Sequence, residues 1–375
     1  MRKLVLMAGV LSVLVLFFIQ CAKKHEGYVI KGQVEGFEDS TMLYLDNSKT
    51  GKTVDSTYVV NGSFLYKGEL EEPSRFFLHT EFERGKPPVY TSFWAENSEI
   101  EIKGNKENFR YVEVTGSKPE EVASILEKQT KSFMQERDSL INILMGMRGK
   151  GMDTAKYNKL VYQLQEIDSL RIKQEYKFIR EHLNSYEAIT QLGYKKNKMS
   201  RDTLKKYVDQ LKPVYKNSSY GQTLVKFLNT KPVKVGEQYI DFNTKTVQGD
   251  DFSLSDVKDK YILLNFWSSG CGPCRRANKA LASDYESMKD SIEIVGFALD
   301  KDKKNVLKAI KADGIKWKVV SNFNGINGKV PMHYRISGTP TFYVIAPSGK
   351  IMRKVVGYSE KALAEIKAMI HENKI

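Results

Sequence analysis

The sequence predicts a multidomain α+β protein: an N-terminal antiparallel β-sandwich, a central helical segment and a C-terminal α/β layer structure. Three observations predict it. Apolar residues recur with period two from about residue 28 to 116 and with helical period from 118 to 231. After Pro232, apolar runs alternate with amphipathic stretches. The length of 375 residues fits two to three domains at roughly 150 residues each. A composition of 41% hydrophobic and 28% charged residues excludes wholesale disorder.

Residues 1–20 read as an address. Arg2 and Lys3 precede the apolar run 4–19, which is short for a span of ~20 residues and fits a secretory h-region. Cys21 follows at once, and the whole resembles a bacterial lipoprotein signal. That resemblance implies cleavage between Gln20 and Cys21 and lipidation of Cys21. Gln20 departs from the small residue usual there, and an uncleaved anchor with an incidental cysteine stands as the alternative. Either places the mature chain outside the cytoplasmic membrane and tethered to it. Cleavage removes two cations and no acids, so the net charge of +14 becomes +12.

The region 22–117 carries the β pattern. Tyr28, Ile30 and Val34 alternate with polar residues; Tyr58 and Val60 lead into Asn61-Gly62, a hairpin signal, and Phe64 and Tyr66 return from it. Ile100 and Ile102, then Val112 and Val114, repeat the alternation, giving an expectation of seven to nine short strands in a sandwich. The region resembles the uncharacterised β-domain that precedes thioredoxin-like domains in Gram-negative envelope lipoproteins. It reads as a spacer or docking module with no visible chemistry.

The region 118–231 is helical. Pro119, Glu120 and Glu121 suit a helix start, and Ile125, Phe133, Leu140 and Leu144 supply a stripe. A second stripe carries Leu160, Leu164, Ile167, Leu170 and Phe178, with shorter helices expected at 203–211 and 222–228. Between the long helices, 146–151 (GMRGKG) lacks the order of a phosphate-binding loop and reads as a turn. This region holds 22 Lys+Arg against 13 Asp+Glu, so +9 of the net charge lies here. An anionic lipid or acidic partner is one reading; a solvated helical face is the plainer one. Nucleic acid is poorly supported, because no stacking aromatic platform interrupts the basic residues. Met145, Met147 and Met152 offer thioethers to a soft metal, but packing is their commoner use.

The region 232–375 alternates strand and helix signals: 261–267 (YILLNFW), 275–288, 292–299, 304–312, 341–345, 351–356 and 360–370. Within it lies the segment 265–276, NFWSSGCGPCRR. A buried strand ends at Trp267, a short turn follows, and Cys271-Gly272-Pro273-Cys274 opens a helix. At the helix N-terminus, unpaired N–H groups and the macrodipole favour a Cys271 thiolate, the nucleophile of thiol–disulfide exchange. Cys274, one turn later, is placed to close an intramolecular disulfide. Pro273 sits where a helix has no N–H bond to lose. With three cysteines in all, and Cys21 read as lipidated, only this pair remains. A zinc site would need two more ligands; there is no second C-x-x-C, and the five histidines lie far apart.

Cys271–Cys274 after Phe266-Trp267, with Gly338-Thr339-Pro340 some 65 residues later before a strand, resembles thioredoxin. The run VGEQYIDF…FSLSDVKDKYILLNFWSSGCGPC is similar to the membrane-tethered TlpA/ResA-like branch. The resemblance implies a thioredoxin-like fold and a redox-active Cys271/Cys274 disulfide with no further cofactor. It also implies a cis bond before Pro340 and client contacts at Trp267, Gly272, Pro273, Thr339 and Pro340. The departures are three. Asn265 stands where thioredoxin has a buried aspartate, Ala277 where the TlpA-like branch often has a glutamate, and Gly270 where a tryptophan is usual. The general base for Cys274 is therefore unnamed. Arg275 and Arg276 favour thiolate or simply occupy an exposed helix face.

The expected activity is reduction of disulfides in client proteins, with a membrane electron donor restoring the dithiol; the Gly-Pro insert matches reducing members of the superfamily. Two alternatives stand beside it. One is a thiol peroxidase, since Ser268 echoes the S/T-x-x-C part of that pattern, although Leu264 replaces its proline. The other is a non-enzymatic envelope docking protein.

Overall fold

The computed structural model describes residues 26–82, 88–147 and 153–372, and the lipidation candidate Cys21 lies outside them. Among the described residues, eight strands form the N-terminal region: β1 Tyr28–Glu35, β2 Met42–Asn47, β3 Lys52–Tyr58, β4 Ser63–Gly68, β5 Ser74–His79, β6 Tyr90–Ala95, β7 Glu99–Asn105 and β8 Glu113–Thr115. They make two four-stranded sheets, ordered β4-β1-β7-β8 and β3-β2-β5-β6. Alternate residues point inward, so Ile30, Val34, Leu43, Leu45, Phe76, Leu78, Ile100 and Ile102 fill a shared core.

Two details depart from the expected antiparallel pattern. β1 and β7 pair in parallel, bringing the two ends of the region together at the centre of one sheet. The Asn61-Gly62 turn forms as expected, with φ of 50° and 69° and with Val60 and Ser63 exchanging backbone bonds of 2.9–3.0 Å. The strands it joins then part: β3 stays in one sheet while β4 crosses to pair with β1 in the other. Phe64 and Tyr66 drive the crossing by entering the core between the sheets.

The helical region comprises α1 Lys118–Gly146, α2 Thr154–Glu181, α3 Tyr186–Lys195, α4 Arg201–Asp209, α5 Pro213–Asn217 and α6 Ser219–Asn229. Asp153, Ser185, Ser200 and Ser218 cap α2, α3, α4 and α6 by accepting backbone N–H bonds. The stripe of α1 is only half buried, and Leu170 on α2 is exposed. The long helices are held in addition by charge, Asp168 accepting from both Arg137 and Arg171. Met145 is exposed and fills no gap in the core. The apolar centre of the region lies instead among α3, α4 and α6, around Leu192, Leu204, Leu224 and Phe227.

This region is bolted to the β-domain through buried polar bonds. Glu120 accepts from the Trp94 backbone N–H at 2.7 Å, and Glu187 accepts from Trp94 Nε1 at 2.8 Å and from Arg75.

The C-terminal region comprises β9 Asn243–Thr246, β10 Asp251–Ser253, β11 Tyr261–Trp267, α7 Gly272–Met288, β12 Ile292–Ala298, α8 Lys303–Asp313, β13 Lys318–Ser321, α9 Lys329–His333, β14 Thr341–Ile345, β15 Ile351–Val356 and α10 Glu360–Glu372. Its seven strands run in the order β10-β9-β13-β12-β11-β14-β15, with β11, β12 and β13 mutually parallel and the remaining pairs antiparallel. Both faces are covered. Leu263, Trp267, Cys274, Leu281, Val306 and Ile366 fill one side, and Leu264, Phe266, Val295, Tyr334 and Tyr343 the other. Burial on both faces explains the largely apolar runs of β11, interrupted by Asn265, and of β14.

Candidate functional site

β11 delivers the chain to the C-terminal edge of the parallel strands, where Ser268, Ser269 and Gly270 turn it into α7. Asp300, just beyond β12, fixes that turn: its carboxylate accepts from the Ser269 N–H at 3.0–3.1 Å and from the Ser269 hydroxyl. Cys271 then occupies the N-cap of α7, and its sulfur accepts the Cys274 N–H at 3.2 Å. Cys271 and Cys274 are joined in a disulfide with Cα atoms 5.2 Å apart. Cys271 is half buried, Gly272 and Pro273 are exposed, and Cys274 is fully buried. One sulfur of the pair is thus presented and the other sealed.

The second wall comes from a segment 68 positions away. The Thr339–Pro340 bond is cis, and the Thr339 carbonyl oxygen lies 3.5 Å from Cys271 Sγ. The Thr341 hydroxyl donates to Gly338 O at 2.7 Å, and the Gly357 N–H donates to Pro340 O at 2.7 Å. Pro340 is buried and Thr339 half buried, so the peptide before the proline is the exposed feature beside the disulfide.

Trp267 requires a correction. Expected to touch a client, it is 0% exposed and packs beneath the site in the cluster that holds Cys274. Strand alternation turns it, like Leu263 and Asn265, toward α7 and away from solvent. Arg275 also differs from expectation. It neither lies free on a helix face nor aims at the sulfurs; it pairs with buried Asp313 at the end of α8 and donates to Ser269 O at 3.2 Å. Arg276 is exposed.

Beneath the disulfide, Asn265 and Asn278 are both fully buried and bonded to each other. Asp300, Asp313 and Asn278 were not singled out from the sequence. Asp300 had a signal: it follows a predicted buried strand, and parallel sheets gather functional groups at that end. No group of three or more His, Cys, Asp or Glu side chains placed to hold a metal occurs among the described residues.

A central sheet with β11 leading into a helix-capping Cys-x-x-Cys, faced by a cis-proline loop, defines a thioredoxin-fold dithiol protein. Residues 235–354 match the family described as AhpC/TSA, and residues 28–122 match a domain of unknown function, DUF4369. The thioredoxin-like protein YneN of Bacillus subtilis is 30% identical over 138 residues, covering 36% of this chain and 79% of that protein. The thiol-disulfide oxidoreductase ResA of the same organism is 30% identical over 132 residues, covering 35% of this chain and 72% of ResA. Among solved structures, a thiol-disulfide oxidoreductase from Bacteroides fragilis is 28% identical, covering 36% of this chain and 99% of that one with a TM-score of 0.33. Through its C-terminal domain the chain belongs to the TlpA/ResA-like thiol-disulfide oxidoreductases of the thioredoxin superfamily.

Proposed function

We propose that this protein reduces disulfides in client proteins outside the cytoplasmic membrane, with Cys271 as nucleophile and Cys274 as resolving thiol. The observation that carries the reading is the asymmetry of the pair, Cys271 half buried at the mouth of α7 and Cys274 sealed behind it. Cys271 thiolate attacks one sulfur of a client disulfide, forming a mixed disulfide and releasing the other client sulfur as thiolate. Cys274 thiolate then attacks Cys271 Sγ, closing the internal disulfide and releasing the second client thiolate. The client gains two electrons and, at neutral pH, two protons; the enzyme loses the same. A membrane electron donor returns them. Gly272, Pro273 and Thr339 form the client contact in this reading, with the Thr339 peptide offered to a client backbone beside buried Pro340. The Gly-Pro insert supports the reducing direction.

Cys21 is proposed as the lipid anchor, on the h-region before it. No helix among the described residues is long and apolar enough to cross a membrane. The boundaries 22–117, 118–231 and 232–375 are kept as the proposed domain division, each region having its own apolar cluster.

Insulin-disulfide reduction by the purified chain, lost in Cys271→Ala, tests the assignment; undiminished activity in that variant sinks it. Cys274→Ser is expected to trap clients as mixed disulfides. A second reading, a thiol peroxidase, is favoured by the AhpC/TSA match. Peroxide consumption by Cys274→Ser with sulfenic acid at Cys271, and no insulin reduction by the native chain, would establish it instead.

A further inference from the structure

The segment leading into the cis-proline loop is held both from its own domain, through Lys354 and Tyr343, and from the helical region. Arg335 adopts a left-handed backbone, φ 45°, and turns its guanidinium onto the end of α6. Its Nη1 and Nη2 donate to Phe227 O at 3.1 Å and Thr230 O at 2.9 Å, and its guanidinium carbon lies 3.8 Å from the centre of the Phe227 ring. Carbonyls in the last turn of a helix are short of donors, and a cation there is favoured by the macrodipole; Phe227 O accepts from Arg335 in addition to the Thr230 N–H. The next residue, Ile336, is buried, and its carbonyl accepts from Asn197 Nδ2 of the helical region at 2.9 Å. Met332, one turn earlier, packs into the helical core. From β15, Lys354 Nζ donates to Arg335 O at 3.0 Å.

Only Ser337 and Gly338 separate these anchors from Thr339. Within the domain, Gly338 O is held by the Thr341 hydroxyl and Pro340 O by the Gly357 N–H, so the approach through Ser337 and Gly338 is the less restrained side of Thr339. On the far side, Thr341 is locked by its pairing with Phe266 on β11. On the near side, consecutive residues are tied to α6 and to the segment after α3. We propose that the helical region positions the cis-proline loop against Cys271, and that Arg335 and Asn197 are the positioning residues through which it does so. The proposal deepens the dithiol reading and rests on it. It gives the central region a part in client binding: a client chain laid along the Thr339 peptide meets a surface whose placement depends on residues about 140 positions earlier.

The test uses the full chain with Arg335→Met, which removes the guanidinium and keeps an unbranched apolar side chain, and separately Asn197→Ala. Arg201→Met is the control, because Arg201 caps Leu228 O at 2.6 Å on the same helix end and reaches Arg335 only through its charge. Each positioning variant is expected to raise KM for insulin about fivefold, the loss of one or two hydrogen bonds, while kcat stays within about twofold. Amide exchange of the peptide spanning 336–342 is expected to quicken about tenfold in both variants and not in the control. Unchanged exchange and unchanged KM would overturn the proposal, as would an equal effect of Arg201→Met, which would reduce the contact to helix capping. A native chain unable to reduce insulin would sink the dithiol reading alone, and the exchange measurement would still decide whether the loop is held.

Discussion

Asn265 on β11 donates from Nδ2 to Asn278 Oδ1 on α7 at 2.9 Å, and both side chains are fully buried on the sheet face that receives Cys274. Asn278 stands one helical turn after Cys274. Two amides thus occupy the space where a carboxylate would serve a resolving thiol, and neither can accept a proton at ordinary pH. Asn265 and Asn278 therefore supply buried Cys274 with no general base.

Replacing Asn265 by Asp puts an ionisable group in this apolar setting. Burial disfavours the anion and raises the folded-state pKa. The folded chain then holds a proton that the unfolded chain releases, so stability falls as pH rises above the unfolded carboxylate range. Asn265→Asp is expected to be near neutral at pH 4 and to cost about 2–4 kcal/mol at pH 8. Urea unfolding at the two pH values checks this, and a pH-independent difference would refute it.

Glu120 gives a second pH dependence, far from the disulfide. Burial raises its pKa to about 7, against the opposing hydrogen bond from the Trp94 N–H and the charge of Arg75. A carboxyl with a raised folded pKa stabilises at low pH and loses that contribution as pH rises, here between 4.5 and about 7. The loss is roughly 3 kcal/mol at most. Glu120→Gln keeps an oxygen for the Trp94 N–H and removes the titration. Its melting temperature should exceed that of the native chain at pH 8 and match it near pH 5. A variant less stable at pH 8 would show that the charge pairing with Arg75 outweighs desolvation.

Asp313 is fully buried while its partner Arg275 keeps 30% of its side chain in solvent. Removing the carboxylate strands the guanidinium and frees the Ser269 carbonyl contact that steadies the turn before Cys271. Because Arg275 can still reach water, Asp313→Ala is expected to cost about 2–3 kcal/mol, below the figure for a fully sealed pair. Guanidinium-chloride unfolding measures it. A loss under about half a kcal/mol would mean that the pair is held by the fold and contributes little to it.

The strands β11, β12, β14 and β15 and the helices α7, α8 and α10 fall where the apolar runs and amphipathic stretches place them, within a few residues. β9, β10 and β13 escaped notice for a physical reason. β9 and β10 are a polar pair at the sheet edge, and β13 is four residues long, so none carries a readable hydrophobic pattern. The parallel pairing of β1 with β7 and the passage of β4 between sheets were equally hidden, since alternation fixes which face a residue takes and says nothing of which strand lies beside it. Trp267 shows the same limit. Its place beside the dithiol was legible, while its burial depended on α7 packing over it.

The sequence by itself determined where the candidate dithiol lies. A Cys-x-x-Cys after an apolar strand, with a Thr-Pro ahead of another strand, is local information, because helix N-termini and strand ends are set by neighbouring residues. The tertiary structure decided which groups surround that dithiol. Asp300 and Asp313 reach the turn and its flanking Arg275 from beyond β12 and from α8, and Asn265 of β11 meets Asn278 of α7 beneath the disulfide. Such meetings depend on how helices and sheets pack in three dimensions, a quantity that no single stretch of residues carries.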